Sequence, residues 1–219
     1  IQMAALRALN ANINTDVCLE ILTRVRAYAP DIPIGLLLYG NLVFARGIDN
    51  FYRDVAHAGV DSVLIADLPI RESEPFRQAA TAHGVAAIFI APPNASDTTL
   101  QKVAEFSAGY TYVLSRVGVT GTETEAEMTG HKLIDILDKY QAAPSVIGFG
   151  ISKPEQVKAA LATGAKGAIS GSAVVKIIEN NLNYIFPYEI LDSKPYGAEG
   201  LISELTETLG GNFLDSKSF

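Results

Sequence analysis

A chain of 219 residues that is 48% hydrophobic and 19% charged can bury most of its surface in a single core, which excludes a disordered or low-complexity protein. Its formal net charge is −7, with no run of five basic residues, so nucleic acid is not an expected partner. No apolar stretch approaches the ~18 residues that cross a bilayer, and the lone cysteine, Cys18, cannot close an internal disulfide, so the expected location is the reducing cytoplasm and not a membrane.

Two helical patterns open the chain, near residues 1–9 and 15–28. From there short apolar runs of β type alternate with amphipathic helical stretches. The runs predict strands at 33–38, 62–66, 86–90, 110–115, 145–148 and 167–170. Each is apolar on consecutive positions, the pattern of a strand covered on both faces in a parallel sheet. The intervening periodicity predicts helices at 47–57, 72–83, 95–106, 128–140, 153–163 and 173–180. Ser96 or Asp97 can cap the helix at 95–106, and Ser152 with Pro154 marks the next helix start. Gly59, Gly84 and Gly164 each follow a helix, as left-handed helix ends require.

Strand starts recur every 22–35 residues, which fits a (β/α)8 barrel or a doubly wound open sheet. An open sheet that binds a dinucleotide wants G-x-G-x-x-G after its first strand. Here the nearest approach, residues 148–153, lacks the third glycine and follows the fifth strand. A barrel instead places phosphate-binding glycine turns after its last two strands. Gly148-Phe-Gly-Ile-Ser152 and Ser170-Gly-Ser-Ala173 stand at those two places. With six strands visible where a barrel has eight, the expectation is a single domain over 1–219: a (β/α)8 barrel without its first two units.

In the two glycine turns, backbone N–H groups at Gly150 and Gly171, the Ser172 hydroxyl and the positive end of the following helix can converge on an anion. The plainer reading, that the glycines permit tight turns and Ser172 caps a helix, stands beside it. Residues 116–127 form the longest connection inside the repeat and read as a lid, with Thr120 and Gly121 able to close on a phosphate. Asp67 ends the second strand but reads as a turn residue whose carboxylate accepts backbone N–H bonds. His57, His83 and His131 sit at helix ends and read as surface or cap residues, and no spacing suggests a metal site. Tyr112 either reaches the barrel mouth or packs in the core.

Five strings carry a resemblance: Ile34-Gly-Leu-Leu-Leu-Tyr-Gly-Asn-Leu-Val-Phe44, Ala91-Pro-Pro-Asn-Ala95, Gly109-Tyr-Thr-Tyr-Val-Leu-Ser-Arg-Val-Gly-Val-Thr-Gly121, Gly148-Phe-Gly-Ile-Ser152 and Gly167-Ala-Ile-Ser-Gly-Ser-Ala173. The chain resembles the tryptophan synthase alpha chain family from Ile1 to about Asn180. The resemblance implies a barrel lyase that splits indole-3-glycerol phosphate into indole and glyceraldehyde 3-phosphate. The indole passes to a beta chain that carries pyridoxal phosphate, within a heterotetramer of two alpha and two beta chains. No cofactor is implied in this chain. Gly121, Gly150, Gly171 and Ser172 would hold the substrate phosphate, with Phe149 and Thr120 nearby. Leu37, Leu64 and Tyr112 would line the indole side, Arg116 would organise the lid, and Asn41 with Pro93 and Asn94 would face the beta chain.

The implied reaction is a retro-aldol cleavage that needs positioned carboxylates as acid and base. The family's glutamate and aspartate for this work match no residue here, so the expected catalytic set is empty and the segment is expected to bind without turning over. Two alternatives are a non-catalytic phosphate-binding regulator of a beta chain and another phosphate-binding barrel isomerase. Residues 181–197, with four aromatics, read as an insertion before a helix at 198–209.

Overall fold

A computed structural model describes residues 1–114, 130–148 and 150–180. Helices α1 (Gln2–Asn10) and α2 (Thr15–Tyr28) come first, and Asn14 caps α2 by accepting the Val17 N–H at 3.1 Å. Then follow β1 (Gly35–Leu38), α3 (Gly40–Arg46), α4 (Ile48–His57), β2 (Ser62–Ile65) and α5 (Glu74–Ala82). The remainder is β3 (Ala86–Ile88), β4 (Ile90–Ala91), α6 (Asp97–Phe106), β5 (Thr111–Val113), α7 (Gly130–Lys139), β6 (Ser145–Gly148), α8 (Pro154–Ala162), β7 (Gly167–Ile169) and α9 (Ser172–Asn180). Every strand pairing is parallel, in the order β1-β2-β3 and β4-β5-β6-β7. The result is the curved wall of a barrel, built from consecutive βα units.

Four local expectations need correction. The single strand expected at 86–90 is divided at Phe89: residues 86–88 pair with β2, whereas Ile90 and Ala91 pair with β5. Side-chain alternation survives the break, since Phe89 and Ala91 both enter the helix-side core. The strand therefore hands its hydrogen bonding from one neighbour to the other while keeping its faces. Second, α3 occupies a stretch read as a connection. Its first N–H, on Gly40, is satisfied from outside the helix by the Asp67 carboxylate at 2.7 Å. Third, the helix expected at 72–83 starts later, because a 3-10 turn at Ile70–Glu72 and the fully buried Ser73 precede α5. Fourth, Ser152 does not cap α8. Lys153 takes the cap position, while the Ser152 N–H and hydroxyl donate to Gln156 Oε1 at 2.8 and 3.1 Å.

Other signals hold. Ser96 caps α6 through the Thr99 N–H, and Gly59, Gly84 and Gly164 have φ of +83°, +70° and +98°. Two apolar clusters fill the space between sheet and helices. One gathers Val43, Phe51, Tyr52, Val55, Val63 and Phe76, and the other Leu100, Val113, Leu133, Leu137 and Ile147; Ala87 packs against both. Helices α1 and α2 bury no residue completely. Arg26 fastens the end of α2 by donating to the carbonyls of Gly59, Pro30 and Ile32 and to Asp61 Oδ2 at 2.6 Å. Arg7 on α1 pairs with Glu179 on α9 at 2.7 Å, an exposed contact of small energetic weight.

Candidate active site

Alternation along the strands separates helix-facing from interior positions. Val63 and Ile65 join the helix-side core, so Leu64 between them points the other way, into the barrel, where it is 1% exposed. Leu37 lies directly opposite Leu64 on β1. Its side chain is 60% exposed, because β1 has a strand neighbour on one side only among the described residues. Thr111 is fully buried and Val113 belongs to the helix-side cluster, which turns Tyr112 inward. The Tyr112 ring and hydroxyl lie over Gly148 so closely that a Cβ there would collide with them. Burial pushes the Tyr112 and Tyr110 phenols above their ordinary value, Tyr110 with a further push from the charge of Tyr112. The three residues expected to line the indole side are thus interior residues of one wall.

The two glycine turns are neighbours. β6 and β7 pair in register up to Gly148 and Ile169, and beyond them the Ser170 hydroxyl donates to the Ile151 carbonyl at 2.8 Å. Gly150 has φ of +70°, which a side chain rarely adopts, and open space lies where a Cβ would stand at both Gly150 and Gly171. α9 begins at Ser172, and its first bond inside the helix runs from the Val175 N–H to the Gly171 carbonyl. The N–H groups of Ser172, Ala173 and Val174 therefore lack an acceptor inside the helix. Those amides, the exposed Ser172 hydroxyl and the Gly150 loop form a donor-rich corner at the C-terminal end of the sheet. Among the described residues, no carboxylate hydrogen-bonds into either turn.

Asp67 is the one carboxylate, among the described residues, within two positions of the C-terminal end of a strand. Its carboxylate accepts a backbone N–H, as its sequence context suggests, but the donor is Gly40, 27 positions away, and not a residue of its own turn. His83 contacts Asp49 at 2.8 Å and His131 contacts the Thr163 carbonyl at 3.1 Å, both away from the strand ends, and His57 is exposed. Among the described residues no group of three or more His, Cys, Asp and Glu can hold a metal, and no helix is long and apolar enough to cross a membrane.

Asn41 is exposed on α3, and Pro93 and Asn94 follow β4, so all three lie at the same end of the sheet as the glycine turns. Beside Asn41 runs a groove of about 430 Å³, lined in part by Gly40, Phe44, Asp67, Pro69 and Phe76. Phe44 and Phe76 meet edge to face at 5.4 Å. Arg116, Thr120, Gly121, Phe149 and the segment 181–219 lie outside the described residues. Sequence reading missed three contributors: Ser170 and Gln156, whose bonds hold the glycine turns, and Gly148, which makes room for Tyr112. Ser170 offers no signal, being one more small residue in a glycine turn.

Comparison with known proteins agrees with this geometry. The family profile described as Tryptophan synthase alpha chain matches residues 1–187. The tryptophan synthase alpha chain of Photobacterium profundum is 60% identical over 183 residues, covering 84% of this chain and 68% of that one. That of Yersinia enterocolitica is 58% identical over 191 residues, covering 87% and 70%. A mutant tryptophan synthase alpha-subunit from Pyrococcus furiosus superposes with a TM-score of 0.76 at 29% identity, covering 95% of this chain and 79% of that one. The tryptophan synthase complex from the same organism gives 0.71 at 30% identity, covering 82% and 71%. With a profile match across most of its length and relatives near 60% identity, the chain belongs to the tryptophan synthase alpha chain family.

Proposed function

We propose that this chain binds indole-3-glycerol phosphate for the alpha reaction of tryptophan synthase, the retro-aldol cleavage to indole and glyceraldehyde 3-phosphate. The observation that carries the reading is the adjacency of the two glycine turns, bridged from Ser170 to Ile151 at 2.8 Å. Amides around Gly150, Gly171 and Ser172 then hold the phosphate, with Gly121, Thr120 and Phe149 completing the enclosure and Arg116 ordering the lid. Leu37, Leu64 and Tyr112 take the indole ring. A planar apolar ring suits Leu64 and Tyr112, and the dianionic phosphate suits amide donors at a helix start.

The groove beside Asn41, together with Pro93 and Asn94, is the face for the beta chain, to which indole passes. In that assembly pyridoxal phosphate belongs to the beta chain. The alpha reaction calls on proton transfer and polar stabilisation and needs no cofactor of its own. The setting is the cytoplasm.

Proton transfer is the part for which the described residues offer no free carboxylate. Asp67 is committed to Gly40, and no other described carboxylate stands at a strand end. On the described residues, the reading therefore expects ligand binding with negligible turnover. Calorimetry with indole-3-glycerol phosphate and with its dephosphorylated analogue tests the reading. The phosphate ester is expected to bind at least about tenfold more tightly, the scale of one or two charge-assisted hydrogen bonds. Equal affinities contradict the phosphate assignment, and indole release at the rate of a full-length alpha chain contradicts the account of the carboxylates.

A further inference from the structure

We propose that Ser170 is a positioning residue that locks the two glycine turns into one anion cradle. The inference rests on the phosphate reading above, in which the Ser170 bond marks the turns as adjacent, and gives that bond a task in ligand affinity. Backbone pairing between β6 and β7 ends at Gly148 and Ile169. Past that point the Ser170 hydroxyl bond to the Ile151 carbonyl is the only hydrogen bond joining the two turns among the described residues. At Gly150 and Gly171 no side-chain packing adds to it, because nothing lies within 4 Å of either Cβ position and glycine resists ordering.

An anion that takes donors from both turns needs them at a fixed separation before it arrives. Otherwise the ordering cost is subtracted from its affinity. Ser170 supplies that separation from a half-buried position behind the turns, where its own hydroxyl is spent on Ile151 and is not offered to the ligand. Gln156 complements it. By accepting both the Ser152 N–H and the Ser152 hydroxyl, it ties the far end of the first turn to α8. Loss of the Ser170 hydroxyl therefore leaves each turn anchored to its own helix and removes the register between them.

The test titrates inorganic phosphate into the 219-residue chain and its Ser170→Ala and Ser170→Thr variants. Amide NMR shifts of Gly150 and Gly171 are followed, and the thermal midpoint of each ligand-free protein is measured alongside. In the unsubstituted chain both amides are expected to move with one dissociation constant. Ser170→Ala is expected to weaken binding by about twofold to tenfold, the value of one neutral hydrogen bond, with the ligand-free protein still folded at the titration temperature and at most a small fall in its thermal midpoint. Ser170→Thr, which keeps the hydroxyl, is expected to restore it. If Ser170→Ala does not fold, Ser170→Cys, a weak donor of similar size, is expected to show the same loss.

Equal affinity of the alanine variant and the unsubstituted chain overturns the proposal and leaves the phosphate reading standing. So does a loss that tracks a lowered midpoint and is not recovered by threonine. If phosphate moves neither glycine amide in the unsubstituted chain, the phosphate reading itself fails, and the role of Ser170 with it.

Discussion

Gly148 shows how a single missing methyl group can shape a site. Its interior face is occupied by the ring and hydroxyl of Tyr112, so the substitution Gly148→Ala must displace the ring or bend β6. Overpacking of this kind costs about 1–3 kcal/mol. Urea unfolding should show that loss together with weaker binding of indole itself, and an unchanged midpoint would mean that Tyr112 lies elsewhere. Tyr52 makes a second residue-scale case. It is 1% exposed beneath α5, and burial raises its phenol from 10.0 to about 12. A raised folded-state value favours the neutral form, so this stabilisation is complete below pH 10 and is lost as pH climbs from 10 toward 12. Between pH 9 and 11 the urea midpoint of Tyr52→Phe should fall less than that of the unsubstituted chain; parallel declines would contradict the assignment.

At the scale of elements, α2 rests Leu19 and Leu22 against the core and is fastened at its end by one side chain. It buries no residue completely, and the Arg26 fork reaches the carbonyls of Gly59, Pro30 and Ile32 and the Asp61 carboxylate. Lysine cannot reproduce that fork. Arg26→Lys is expected to cost about 1–3 kcal/mol and to strip hydrogen-exchange protection from α2 before any other helix; retained protection in α2 would contradict this role. The elements themselves were mostly legible in the sequence, because consecutive apolar runs and post-helical glycines are local signals. Gly59, Gly84 and Gly164 mark their helix ends by positive φ, and at Gly59 a Cβ would also collide with the Arg26 side chain. What escaped depends on distant partners. The first N–H of α3 is satisfied by Asp67, and the division of a strand at Phe89 reflects a change of neighbour along the sheet. Neither event leaves a trace in nearby residues.

For the molecule as a whole, the parallel wall places glycine turns, interior apolar residues and the groove beside Asn41 at one end of the sheet. Spacing and the two glycine strings made the adjacency of the two turns readable, since a barrel puts such turns after its last two strands. The walls were less so. That Leu37 and Leu64 face each other follows from strand register, and the bridge from Ser170 to Ile151 joins positions 19 residues apart. The feature on which the proposed substrate depends is a shared anion corner at Gly150, Gly171 and Ser172. A crystal structure of this chain with indole-3-glycerol phosphate locates the phosphate directly. Phosphate oxygens about 2.7–3.1 Å from the amide nitrogens of Gly150 and of Gly171 or Ser172 are the expected result. A phosphate seated away from both turns, as in the groove beside Asn41, would contradict it.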